Sequence, residues 1–239
     1  MTDTWLSSLR LALDADQFRL LPRNPAFRYE LHHGQVWISP RPRYYHARLD
    51  LSDAEFDGAA NVPLRPLAAD DWAALPELFV RSFAEHQPFT GLAHDQRLAA
   101  AGEAIGLTRN GGDGPLIDRA CFVAVEDGKM LGAVLVTLLP PGDPEEFETY
   151  SWGGQPPPDA VERCEGWPHL TWVLVDQTEA RCGVGTALLA AACRALQAMG
   201  YNDLLSTFLY GNDVSVMWHW RRGFRLLSYP GAFRRSRLG

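Results

Sequence analysis

The chain has 239 residues, a hydrophobic fraction of 46% and a formal net charge of -7. That is enough apolar material for one large domain, or for a domain with a substantial arm, and it excludes disorder of the whole chain. The acidic balance argues against general nucleic-acid binding and mildly favours cationic substrates, although ordinary solubility is the simpler account of it.

Taken in chain order, residues 1–61 read as an N-terminal extension or arm. Trp5 to Leu13 predicts a short amphipathic helix. Tyr29 to His32 and Gln35 to Ile38 flank His33-Gly34 in a hairpin-like pattern. Pro40-Arg41-Pro42-Arg43 should be extended. The arm reads either as a partner-binding or homodimer-forming element, or as a strap on the main domain. Burial of Trp37, Ile38, Tyr44 and Tyr45 favours the strap.

From Val62 the elements become regular. Val62 to Pro66 predicts a strand, and Ala69 to Ala84 a helix begun by Asp70 or Asp71. A second helix is expected over His94 to Ile105. Cys121 to Glu126 and Met130 to Leu139 are strands joined by Asp127-Gly128-Lys129. The latter apolar run is too short to span a bilayer, and no membrane partner is expected. Residues 140–168 form a long Pro-rich insert in which Asp143, Glu145, Glu146 and Glu148 interleave with Tyr150 and Trp152. It is either a solvated variable loop or a receiving surface for an amine. His169 to Val175 is the next strand. Beyond a Gly-x-Gly loop and the helix it opens come a strand from Tyr201 to Thr207, a helix and a final strand from Phe224 to Tyr229. The pattern is α/β (α+β) with a mixed sheet.

The most informative stretch is Val173 to Leu189, VLVDQTEARCGVGTALL. It reads as a strand, a polar turn, the loop Gly183-Val184-Gly185 and an amphipathic helix. That helix places Val184, Ala187, Leu188, Ala191, Ala195, Leu196 and Met199 on one face, and Gly200 stands at its expected cap. A glycine loop opening a helix offers backbone N–H groups at the positive end of the dipole, which suits a phosphate or pyrophosphate. A Walker loop would need a lysine here, and a dinucleotide fingerprint a third glycine. Neither is present.

The segment instead resembles motif A of the GNAT family of N-acetyltransferases, Gln/Arg-x-x-Gly-x-Gly/Ala after a strand. The resemblance continues in Asn212-x-x-Ser215-x-x-Trp218-His219-x-x-x-Gly223-Phe224, which looks like the family's Asn-x-x-Ala-x-x-aromatic-Tyr-x-x-x-Gly-Phe block. Two departures stand out. Ala180 occupies the usual Gln/Arg position, with Arg181 one place later, and His219 occupies the usual tyrosine position. The resemblance covers roughly residues 62–230, with residues 62–239 taken as the domain.

It implies a GNAT-like, mostly antiparallel mixed sheet flanked by helices, with a splayed strand pair binding acyl-CoA. Acetyl-CoA, or another acyl-CoA, would be the co-substrate. Its pantetheine would pair with the backbone of Val173, Leu174 and Val175. Its pyrophosphate would take N–H groups from Arg181, Cys182, Gly183, Val184, Gly185 and Thr186, helped by the Arg181 guanidinium and the Thr186 hydroxyl. Asn212 would cap the next helix and touch the cofactor. The implied reaction is direct attack of a primary amine, on a small molecule or a peptide, upon the thioester. His219 either protonates the leaving thiolate or merely fills space. His169 either acts as the base or is a hydrogen-bonded structural group, with Glu165 and Glu148 in reserve. The alternative is a non-catalytic acyl-CoA-binding module.

The cysteines Cys121, Cys164, Cys182 and Cys193 lack metal-like spacing, and no metal is expected. The N-terminus lacks the basic start and apolar core of a signal peptide, so a reduced cytoplasmic protein is the simplest expectation.

Overall fold

A computed structural model describes residues 9–23, 27–40, 44–52, 62–84, 93–146, 151–179, 182–209 and 212–227. The N-terminal part begins with β1 (Leu9–Ala12), α1 (Ala15–Leu20), β2 (Phe27–His32) and β3 (Gln35–Pro40). They form a three-stranded antiparallel sheet in the order β1-β3-β2. The expected hairpin is therefore present. The expected helix from Trp5 to Leu13 is replaced over Leu9–Ala12 by a strand, which pairs with β3 and sets Arg10 3.8 Å from the centre of the Trp37 ring, while residues 5–8 lie outside the described residues. The helix starts later, where Asp14 accepts from the N–H groups of Asp16 and Gln17 and the Gln17 side chain returns to Asp14 N–H.

The main sheet has seven strands. Its members are β4 (Tyr44–Asp50), β5 (Leu64–Pro66), β6 (Phe122–Glu126), β7 (Lys129–Leu139), β8 (Trp167–Val175), β9 (Asp203–Leu209) and β10 (Arg225–Leu226). Their order is β10-β4-β9-β8-β7-β6-β5, antiparallel at every step except the parallel β8–β9 pair. The sheet crosses the boundary expected at residue 62. β4 comes from the N-terminal arm, yet it pairs along its whole length with β9 and also carries β10. Alternation explains it: Tyr45, Ala47 and Leu49 go to the core, while His46, Arg48 and Asp50 take the other face.

Helices cover both faces. The predicted helix from Ala69 to Ala84 divides into a 3-10 turn at Ala69–Ala73 and α2 (Leu75–Ser82), with Pro76 restarting the helix in its first turn. α3 (His94–Arg109) runs one turn past its expected end. Together α2 and α3 pack on one face through Leu75, Leu78, Phe79, Ala101 and Ile105, which meet Ala133, Leu135 and Leu174 of the sheet. α4 (Val184–Met199) covers the other face, burying Val184, Leu188, Ala192 and Leu196 against Val134, Val136 and Leu170. α5 (Asp213–Arg221) follows β9 on the α4 side. The described part of the 140–168 insert is tied down. Trp152 Nε1 donates to Leu138 O, Trp167 Nε1 to Gly142 O, and the Tyr201 hydroxyl to Val161 O. Residues 147–150, with Glu148 and Tyr150, lie outside the described residues.

Candidate active site

β8 and β9 pair only at His169↔Leu205 and Leu170↔Ser206. Beyond Leu170 the two strands part, and the register of β8 on β7 slips by one residue between Leu135↔Trp172 and Val136↔Leu170. Thr171 is thus the extra residue of a bulge, the device that bends a strand out of its ladder. The bonding alternation shows which groups face the opening. Asp176 N–H donates to Leu131 O at 2.8 Å, so Leu174 also turns its backbone to β7, and Val173 and Val175 turn theirs away from it. On the other wall, Leu51 N–H donates to Asn202 O at 2.8 Å, which leaves Thr207 and Leu209 directed toward β8.

This corrects one expectation. Leu174 cannot offer its backbone to a ligand, since it pairs with Ala133 and its side chain is fully buried under α2 and α3. Val173 and Val175 can.

At the end of β8 the chain turns on Asp176, which is 2% exposed. Its carboxylate takes Arg81 at 2.8 Å, Lys129 at 3.0 Å and the Thr178 hydroxyl at 2.8 Å. Burial alone would raise its pKa, but bonds from Lys129, Thr178 and Arg81 outweigh that and hold it well below the usual carboxylate range. A buried carboxylate therefore anchors the loop that follows. Gly183 then adopts φ 85°, a left-handed conformation open to glycine, and precedes the first turn of α4. Val184, Gly185 and Thr186 occupy that turn, where N–H groups have no acceptor within the helix. Gly185 is there for a close approach. A Cβ on it would lie 3.3 Å from Val175 Cγ2 and 3.7 Å from the indole nitrogen of Trp218. Cys182 is exposed, and its N–H is spent on Glu179 O at 3.1 Å. Ala180 and Arg181 lie outside the described residues.

A polar row crosses the sheet face on the α2/α3 side, at the apex of the opening. His169 bonds Thr171 Oγ1 through Nδ1 at 3.1 Å and Thr207 Oγ1 through Nε2 at 3.0 Å. His46 Nδ1 reaches the same Thr207 oxygen at 3.0 Å. Thr171 in turn meets Thr137 Oγ1 at 2.8 Å, and Thr137 donates to Asp113 O at 2.9 Å. Burial, with His46 and His219 nearby, pushes the His169 imidazole down to about 3. Burial alone pushes His46 down to about 4. Both rings are neutral at pH 7. Glu165 lies just before β8, with Arg163 at 3.5 Å.

His219 has a different setting. It is 7% exposed, stacked on Phe208 at 4.1 Å and met edge-on by Trp218 and Phe224. Its Nδ1 lies 2.7 Å from Ser215 O, so Nδ1 carries the proton, and Nε2 accepts from the Ser206 hydroxyl at 2.8 Å. Burial pushes its pKa down to about 4, against a smaller upward pull from Ser215. A neutral ring with both nitrogens engaged has no imidazolium proton to donate, so the expected thiolate donor does not fit this position. Asn212 caps α5, accepting from Ser215 N–H at 3.1 Å.

His46, Thr207, Thr171 and Trp218 were not reached as site residues from the sequence. The period-two alternation of Tyr44 to Asp50 was the available signal for His46. Among the described residues there is no cluster of three His, Cys, Asp or Glu fit for a metal, and no helix long and apolar enough to cross a membrane.

The sequence model of the family described as "Acetyltransferase (GNAT) family" matches residues 72–224. No curated protein matches the chain. Among solved structures, a GNAT family acetyltransferase from Brucella melitensis in complex with acetyl-CoA is similar at 19% identity and a TM-score of 0.47, over 72% of this chain and 90% of that one. The PaiA N-acetyltransferase from Thermoplasma acidophilum in complex with coenzyme A is similar at 12% identity and a TM-score of 0.48, over 72% and 94%. The aminoglycoside N-acetyltransferase AAC(6')-Iy, bound to a bisubstrate analogue, is similar at 17% and 0.44, over 71% and 94%.

Proposed function

The chain belongs to the acetyltransferase (GNAT) family, and from that premise we propose that it is an acyl-CoA-dependent N-acyltransferase. It transfers acetyl from acetyl-CoA to a primary amine of a small molecule or peptide by direct attack. The observation that carries this reading is the opening between β8 and β9, with Val173 and Val175 turned toward it and the glycine turn of α4 at its end.

Each part of the opening has a task in this reading. Val173 and Val175 pair with the amides of the pantetheine, as an added strand would. Their N–H groups are also the donors available to polarise the thioester carbonyl. Val184, Gly185 and Thr186 give N–H groups to the pyrophosphate, with the Thr186 hydroxyl and Arg181 in support. Gly185 lets Val175 and Trp218 close on that first turn of the helix. Asn212 acts as the cap that holds α5 in place.

The amine must lose a proton, and His169 is the base. A neutral imidazole at the apex of the opening has the lone pair for it. The thiolate leaves to solvent without help from His219, which acts as packing between α5 and β9.

Calorimetric titration with acetyl-CoA tests the reading, with desulfo-CoA and NAD as controls. Micromolar, CoA-selective binding followed by release of free CoA in the presence of an amine is expected. No binding at high micromolar ligand, or equal binding of NAD, would contradict it.

A further inference from the structure

The polar row on the α2/α3 face has a direction that proton counting determines. Asp113 O can only accept, so the one proton of the Thr137 hydroxyl goes to it. Thr171 then donates to Thr137 at 2.8 Å, because the Thr137 proton is already placed. The other acceptor of Thr171, His169 O, is farther at 3.3 Å, and either acceptor uses the Thr171 proton. With the Thr171 proton placed, His169 Nδ1 must be the donor to Thr171. A neutral His169 therefore carries its lone pair on Nε2, and Thr207 donates to it. The Thr207 oxygen, its own proton committed, accepts from His46 Nδ1–H. Five side chains on four strands thus share one orientation, anchored at Asp113.

We propose that Thr207 is the hydroxyl through which His169 takes the proton of the acceptor amine, and that His46 is the positioning residue that aims it. This rests on the acyltransferase reading above and deepens it. Three observations support it. The lone pair of His169 is covered by the Thr207 hydroxyl, so an acceptor reaches that base through Thr207. Thr207 stands on β9 directly after the last residue paired with β8, at the start of the opening, and is partly exposed. Among the described residues its oxygen bonds only His46 and His169, which leaves it a second lone pair.

In the step, an N–H bond of the ammonium formed on attack breaks and its proton joins Thr207 Oγ1. The Thr207 proton passes at the same time to His169 Nε2. Thr207 ends as a neutral hydroxyl and His169 as a short-lived imidazolium, a state that burial disfavours, whose Nδ1–H still bonds Thr171. The proton returns by the same hydroxyl to solvent once the amide has left. His46 Nδ1–H, by occupying one lone pair of Thr207, keeps the hydroxyl proton on the His169 side before the step.

The test joins nuclear magnetic resonance of the imidazole nitrogens with kinetics on the full chain. At pH 7 both His46 and His169 should be neutral with the proton on Nδ1. Thr207→Val should lower kcat about 100-fold, the scale of a lost proton transfer, while the Kd for acetyl-CoA stays unchanged. Thr207→Ser should restore most of the rate. His46→Asn, which keeps a donor near the Nδ1 position, should be faster than His46→Leu. A His169 proton found on Nε2, wild-type kcat in Thr207→Val, or equal loss in His46→Asn and His46→Leu would overturn the proposal. Wild-type protein that binds acetyl-CoA but acylates no amine would overturn the acyltransferase reading, and the relay with it. Turnover at the wild-type rate in Thr207→Val would overturn the relay alone.

Discussion

His219 and His169 lie on opposite faces of the sheet where β8 and β9 part, each bonded to a hydroxyl of β9. On the α4 side, His219 closes on Ser206 and is stacked between aromatic rings. On the α2/α3 side, His169 and His46 share the Thr207 hydroxyl within a row of polar groups. Ser206 and Thr207 are neighbours in sequence, so strand alternation alone sends one to packing and the other to the opening. The two faces teach that residue type does not assign the chemistry here. The connectivity of each ring does. His219 is bonded into one helix and one strand, whereas His169 belongs to a chain of hydroxyls that ends at the strand opening.

The largest effect expected from this comparison is on stability against pH. All three imidazoles have folded pKa values depressed from 6.5, His46 and His219 to about 4 and His169 to about 3. Below pH 6.5 the unfolded chain binds protons that the folded chain refuses. Stability is therefore complete above pH 6.5 and falls as the pH drops toward about 4, by up to about 1.4 kcal/mol per unit for each of His169 and His219 and by less for the more solvated His46. Urea unfolding from pH 7 to pH 4.5 should show this slope. His219→Gln should make it shallower, and an unchanged slope would mean that His219 is not held neutral.

Truncation at His219 comes next. His219→Ala removes a buried ring and strands the Ser206 hydroxyl, at a cost of about 2–4 kcal/mol in unfolding free energy. Its folded fraction should still bind acetyl-CoA. The smallest effect belongs to Ser206→Ala, which leaves Nε2 of His219 without its donor and should cost about 1 kcal/mol by thermal or urea unfolding. A larger kcat loss than stability loss in either variant would break the distinction between the faces.

Much of the α4 side was legible in the sequence. The glycine turn, the periodic face of α4, its cap at Gly200 and the Asp127-Gly128 hairpin are all local patterns, and local patterns survive folding intact. The polar face was legible only in part. His169 was visible as a strand residue, but its partners Thr207 and His46 come from distant segments, and His46 is 161 positions from Thr207. β4 was hidden for the same reason: its alternation is clear, but the strand that receives it lies near the other end of the chain. The segment 9–12 was misassigned as helix because pairing with β3 outweighs local propensity. For His219, the flanking Trp218 was the useful sign, since it packs on the ring edge-on.

The most direct test places the two histidines side by side in one assay of CoA release and amine acylation, with acetyl-CoA affinity measured on the same samples. His169→Ala should lower kcat about 10²–10⁴-fold, the range for loss of a positioned base, with acetyl-CoA affinity retained. His219→Gln should turn over at close to the wild-type rate per folded molecule. The reverse pattern, with full activity in His169→Ala and none in folded His219→Gln, would contradict the assignment of the chemistry to the α2/α3 face.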